Sequence, residues 1–158
     1  MSLRSWLIAA TVASLLLAGC ASGPVRRVSE PAVGIQQLTV RADGSWQVDV
    51  RIDNFSSIPM RFDALDLKLV VGGQDAGKLA AQPALDIGPA SADVASITLK
   101  PQALARLQVA DALASGRGIA YALSGTLRAT PESGHARDFE VKRESSLSPV
   151  PGVPGAMR

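Results

Sequence analysis

The chain has 158 residues, yet only one cysteine, one histidine and 4% aromatic residues. A single cysteine forms no disulfide within the chain, so the fold must rest on packing. One histidine cannot build the usual histidine-rich zinc site. Few aromatics leave few platforms on which bases could stack. Cations and anions nearly balance, 16 Lys and Arg against 14 Asp and Glu, for a formal charge of +2. That supplies no basic stripe to neutralise phosphates, which argues against nucleic acid as a partner. Charged residues make up 19% and apolar residues 47%, a balance that buries a core and excludes a wholly disordered chain. The length suits one domain.

What is present begins at the N-terminus. Arg4 is followed by Trp6 to Leu17, a run without a charge, which has the length of a secretory h-region and falls short of the roughly 20 residues of a bilayer-spanning helix. Leu17-Ala18-Gly19-Cys20 follows and resembles the lipobox of bacterial lipoproteins: Leu, two small residues, then Cys. The resemblance implies a signal peptide over residues 1–19 and Cys20 joined to diacylglycerol, with a further acyl chain on the new amino group. One acyl chain binds membranes marginally, whereas several hold them durably. Ala21 in place of Asp after Cys20 resembles the pattern that sends such lipoproteins to the outer membrane. The expected location is therefore that membrane, with the domain facing the periplasm.

Residues 20–32 read as the lipidated cysteine and a polar tether, in which Arg26 and Arg27 could touch anionic head groups for about 2 kcal/mol at best. Ser148 to Gly155 is rich in proline and glycine, so residues 148–158 are expected to form an extended or disordered tail. Residues 33–147 remain for one domain.

Within it, Trp46, Val48, Val50 and Ile52 alternate with polar residues, the signature of a strand with one dry face. Asp43-Gly44 signals a hairpin to a preceding strand over Ile35–Val40. Leu65, Leu67, Leu69 and Val71 form a further strand ending at Gly72-Gly73, and Gln74–Ala80 returns with a bulge expected at Gly77. After an irregular connection between Pro83 and Pro89, Asp93–Leu99 reads as a fifth strand. Leu104, Leu107, Ala110 or Asp111, and Leu113 switch to helical spacing, predicting an amphipathic helix over Gln102–Leu113 that ends at Gly116 and Gly118. Ile119 to Leu127, and Arg137 to Leu147 with Phe139 and Val141 facing inward, complete the set. The expectation is an all-β fold with one short helix: a seven-stranded antiparallel sandwich of the immunoglobulin or fibronectin III kind.

From Asn54 onward the residues resemble the water-stress and hypersensitive-response (WHy) domain, the LEA14-like group 2 of late-embryogenesis-abundant proteins. The motifs are Ile52-Asp53-Asn54-Phe55-Ser56, then Pro59-Met60, then Gly72-Gly73, then Ile87-Gly88-Pro89-Ala90, and finally Tyr121-Ala122-Leu123-Ser124-Gly125-Thr126-Leu127. Phe55 and Ser56 depart from the Pro and Asn of the family pattern. The resemblance implies a seven-stranded sandwich with one helix and marks Asn54, Pro59, Gly73, Pro89, Tyr121 and Gly125 as structural positions. Asn54 reads as a loop former through its amide.

No catalytic set emerges. His135 lies in a turn-like stretch and could join a serine and a carboxylate only if folding assembled them, and no nucleophile elbow is present. Asp63, Asp66 and Asp75 lack the spacing of a calcium loop and read as solvated strand charges. Ile58, Pro59 and Met60 either cap one end of the sandwich or expose a contact patch. The reading is a monomeric, non-enzymatic, membrane-attached binding or stress-protective module with no metal and no cofactor, whose partner is an unidentified envelope protein or lipid. The alternative is a carrier of lipid or another hydrophobic ligand between the sheets.

Overall fold

The computed structural model describes residue 23 and residues 25–158. The expected signal peptide and the lipobox residues Leu17, Ala18, Gly19 and Cys20 lie outside the described residues. Among the described residues nine strands and one helix run in the order β1 (Ala32–Val40), β2 (Trp46–Asn54), β3 (Met60–Val71), β4 (Gln74–Ala81), β5 (Leu85–Ile87), β6 (Ser91–Leu99), α1 (Ala103–Ala114), β7 (Ile119–Pro131), β8 (Arg137–Leu147) and β9 (Ala156–Met157). They form two antiparallel sheets. One has the order β6-β2-β1-β9; the other has β4-β3-β7-β8, with β5 beside the start of β3. Among the described residues no helix is long and apolar enough to cross a membrane.

The alternating faces meet in a dry core. Trp46, Val48, Val50 and Ile52 from β2 oppose Leu65, Leu67, Leu69 and Val71 from β3, all essentially buried. Strand β3 begins earlier than its alternation suggests, because a bulge between Phe62 and Ala64 shifts the register. Met60 and Phe62 point inward before the bulge and Leu65 after it, so period two is broken by one residue. On the other edge of β3 the expected irregularity falls at Ala76-Gly77: Gly77 pairs with Leu69 and Asp75 with Val70. Gly72 and Gly73 both adopt positive φ, 57° and 75°, as a tight hairpin of this hand requires.

Two expectations are corrected here. The strand count is nine because β5 lies inside the connection between Pro83 and Pro89 and β9 lies inside the C-terminal segment. That segment is ordered: β9 pairs with Leu38 and Thr39 of β1, Val40 N–H donates to Gly155 O at 2.9 Å, and Val150 N–H donates to Ala156 O at 2.9 Å. Ala156 and Met157 are buried. The prolines and glycines make the turn that carries these two apolar residues back to the sheet, and two residues are too few to register as a periodicity.

The helix is also corrected. It spans Ala103–Ala114, but the face it buries consists of Ala105, Val109 and Ala112. Leu104 and Leu107, predicted on the core side, are each 63% exposed. Small side chains let the helix lie close against the β3–β4 turn, where Gln108 sits beside Gly72.

Gly125 shows why backbone approach matters within the second sheet. Its φ is +151°, and a Cβ at this position would fall 2.1 Å from Asp66 O on the neighbouring strand. Only glycine fits there. The outer strand β8 carries Arg137, Asp138, Glu140, Lys142, Arg143 and Glu144, all exposed, which discourages pairing with another chain along that edge.

Candidate functional site

The densest polar construction lies where β2 leaves the first sheet. Asn54 is 1% exposed, and its amide joins three stretches of chain. Nδ2 lies 3.0 Å from Ile58 O, 3.0 Å from Ile87 O and 2.9 Å from Gly88 O, while Oδ1 accepts from Ser56 N–H at 2.9 Å. A buried amide satisfied in this way replaces water for carbonyls that strand pairing leaves free. Asn54 therefore fixes the loop over 55–59 against the turn over 87–90. Ala90, in that turn, has φ of +49° and donates its N–H to Ser56 O at 3.2 Å. Pro89 stands between Gly88 and Ala90 at the turn's corner.

The two residues after Phe55 bind the N-terminal segment. Ser56 is buried; its hydroxyl lies 2.9 Å from Met60 Sδ and accepts from Ser29 N–H at 3.0 Å. Ser57 Oγ donates to Val25 O at 2.7 Å and accepts from Arg27 N–H at 2.8 Å, and Ser57 N–H donates to Arg27 O at 2.9 Å. The stretch from Val25 to Ser29, expected to be a free tether, is thus clasped to this loop. Each serine offers both a donor and an acceptor to extended backbone, a role that sequence periodicity does not reveal.

Ile58 and Met60 are buried and Pro59 half-buried, its carbonyl accepting from Glu132 N–H at 3.0 Å. They close this end of the sandwich. Phe55, a departure from the family motif, is by contrast 55% exposed. Tyr121 lies elsewhere: its hydroxyl accepts from Ile35 N–H at 3.1 Å, beside the register break between Ile35 and Gln37. Gly73 is in the β3–β4 turn and Gly125 within β7. The motif residues therefore do not converge on one site; Asn54, Pro59 and Pro89 form one junction and the other three stand apart.

The aspartates are engaged by cations. Asp66 pairs with Lys78 at 2.7 Å, Asp75 with Lys68 at 3.1 Å and Asp63 with Arg61 at 3.2 Å. Lys68 and the Gly77 N–H hold the Asp75 carboxyl below the usual carboxylate range. The Ser45 hydroxyl and N–H do the same for Asp43. Lys142 lowers Glu140, which in turn raises Lys142. All are exposed. His135 is exposed in the β7–β8 turn. Among the described residues no cluster of His, Cys, Asp and Glu has the arrangement of a metal site.

One depression of about 400 Å³ opens at the seam between β1 and β8 and is lined by Arg51, Asp53, Phe55, Tyr121 and Arg143 among others. Another, of about 490 Å³, lies between Leu113 and Ala114 of the helix and the C-terminal turn at Pro149–Ala156. Both lie at the surface, whereas the inward-facing residues of β2 and β3 fill the space between the sheets.

No protein-family model matches this chain. A search of curated proteins finds no match. Among solved structures, the chain is similar to the solution structure of AT1g01470 from Arabidopsis thaliana, a LEA14 protein, at 12% identity over 82% of this chain and 87% of that one, with a TM-score of 0.50. It is also similar to a crystal structure of a protein from Archaeoglobus fulgidus, at 14% identity over 78% of this chain and 98% of that one, with a TM-score of 0.43. At 12% identity the likeness to the Arabidopsis structure is one of fold alone, an antiparallel β-sandwich.

Proposed function

We propose that the protein is a non-enzymatic envelope lipoprotein, attached through acylated Cys20 to the outer membrane, whose LEA14/WHy-like sandwich faces the periplasm and serves as a binding or stress-protective module during desiccation or osmotic stress. The observation that carries this reading is the LEA14-like sandwich, with Asn54 at its loop junction, downstream of a lipobox. The fold likeness to a LEA14 protein supports the stress-related part. The sequence Leu17-Ala18-Gly19-Cys20 supports the anchor. One histidine and one cysteine in the whole chain support the non-enzymatic part.

Two experiments test it. Metabolic palmitate labelling should mark the wild-type chain in the outer-membrane fraction and leave Cys20→Ser unmarked; an unlabelled wild type overturns the anchor. Purified mature protein should preserve a labile enzyme through drying or freezing better than an inert sandwich domain at equal mass. Equal loss in both samples overturns the protective role.

A further inference from the structure

The clasp between the N-terminal segment and the loop over 55–58 dictates which end of the sandwich faces the lipid. The hydrogen bonds of Ser57 to Val25 and Arg27 fix the chain at the Asn54 end from Val25 onward. Cys20 precedes Val25 by only five residues, a span of at most about 18 Å when fully extended. A tether running freely from Cys20 to residue 32 would span up to about 43 Å, whereas one that ends at Val25 keeps the Asn54 end within about 18 Å of the anchor. Strand β1 then leads away from this end for nine residues, about 30 Å. Its far end, Val40, pairs with Trp46, and Trp46 pairs with Leu99, just before α1. The helix and the C-terminal turn therefore lie at the end remote from Val25 and Asn54.

The near end is equipped for a lipid surface. Phe55 is 55% exposed and Val25 78% exposed, both on the clasped segments, and Arg26 and Arg27 beside Val25 are exposed. Among the described residues neither arginine takes part in an ion pair. Asp53, the acidic group closest in sequence to Phe55, is paired with Arg51 at 2.9 Å, and the exposed charges on the clasped stretch are two arginines against Glu30. Exposed apolar side chains on the loop and on the stretch that Ser57 holds to it, with two cations next to Val25 in sequence, suit the boundary between head groups and acyl chains, where apolar side chains bury about 5–10 Å deep.

We infer that Phe55 and Val25, with Arg26 and Arg27, form a membrane-seated tip that stands the sandwich on the bilayer with α1 and the exposed pair Leu104 and Leu107 turned away from it. This orientation rests on the acylation of Cys20 proposed above. An anchored domain held by the tip presents one fixed end to the periplasm, so the helix end is the one that envelope components can reach.

The test uses the full lipidated chain, in which acylation blocks Cys20 and leaves an introduced cysteine as the only free thiol. Phe55→Cys and Leu107→Cys are each labelled with an environment-sensitive fluorophore and reconstituted in vesicles of phosphatidylethanolamine and phosphatidylglycerol. The protein should float with the vesicles. The probe at 55 should shift to the blue and be quenched by nitroxide-bearing lipids, while the probe at 107 should remain accessible to aqueous iodide. Flotation with a water-exposed probe at 55, or with both probes buried, overturns the orientation and leaves the anchor intact. Failure to float overturns the anchor and the orientation with it.

Discussion

The two ends of the sandwich are closed by opposite chemistry. At the Asn54 end a buried amide and two serines satisfy the backbone of three loops, with each polar atom of Asn54 engaged. At the other end the closure is apolar: Ala105, Val109 and Ala112 of the helix, together with Ala156 and Met157 of the C-terminal turn. There Trp46 is fully buried, and among the described residues its indole Nε1 is the one buried side-chain polar atom without a hydrogen-bond partner. The difference teaches that loops converging from separate strands need a polar hub, because their carbonyls face one another. A helix and a turn satisfy their own backbone and need only an apolar lid.

Of the two closures, the polar hub should show the larger effect. Asn54→Ala takes their buried partner from the Ile58 and Ile87 carbonyls and the Ser56 N–H, and is expected to destabilise by about 3–4 kcal/mol in denaturant unfolding, the lower end of the sum at about 1–3 kcal/mol for each buried group left unsatisfied. A cost under about 1 kcal/mol would show that the hub is dispensable and erase the contrast between the ends. At the apolar end, Met157→Ala removes a fully buried side chain and should cost about 2–3 kcal/mol, read as a lower unfolding midpoint with an unchanged slope. Equal stability would mean that the C-terminal turn contributes nothing to closure.

Trp46→Phe sharpens the comparison. The substitution leaves a gap where the larger ring was but deletes the unpaired donor, whose burial costs about 1–3 kcal/mol. The net change should therefore be about 1 kcal/mol or less, against about 3–5 kcal/mol for Trp46→Ala; similar losses for both would mean the indole N–H is in fact engaged. The double substitution Leu104→Ala and Leu107→Ala, on the exposed helix face, should shift stability by no more than about 0.5 kcal/mol. A larger loss would place those leucines in the core.

The smallest effect is that of pH. Asp43, Asp75 and Glu140 have carboxyls lowered by hydrogen bonds and neighbouring cations. A lowered folded value means that the stabilisation is present above the ordinary carboxylate range, about pH 4, and is lost as pH falls through the lowered values. Since all three are fully exposed, the thermal midpoint should decline only slightly under acid conditions, and Asp75→Asn should flatten part of that slope. A steep acid transition above pH 5 would point to a buried titrating group instead.

Several elements were legible in the amino acids. The alternation from Trp46 to Ile52 and from Leu65 to Val71 specified the two facing strands, since only period two buries one side of an extended chain. Asp43-Gly44 and Gly72-Gly73 marked their turns because positive φ is cheap there. Asn54 was legible as a loop former, but not which carbonyls it gathers. Those come from Ile58, Ile87 and Gly88, of which the last two lie more than thirty positions away. The helix showed its location but not its face, because alanines pack closely against a turn while leucines, larger and more apolar, were the stronger signal.

By itself, then, the sequence determined a β-rich chain without a disulfide, its principal strands and its hairpins, all features governed by neighbours within a few residues. Only the tertiary structure decided that the N-terminal segment is clasped by Ser56 and Ser57, that Phe55 stands exposed while Ile58 and Met60 are buried, and that Ala156 and Met157 complete a sheet. Each of these depends on hydrogen bonds or burial between segments remote in sequence, and local periodicity carries no record of which distant partner a backbone group will meet.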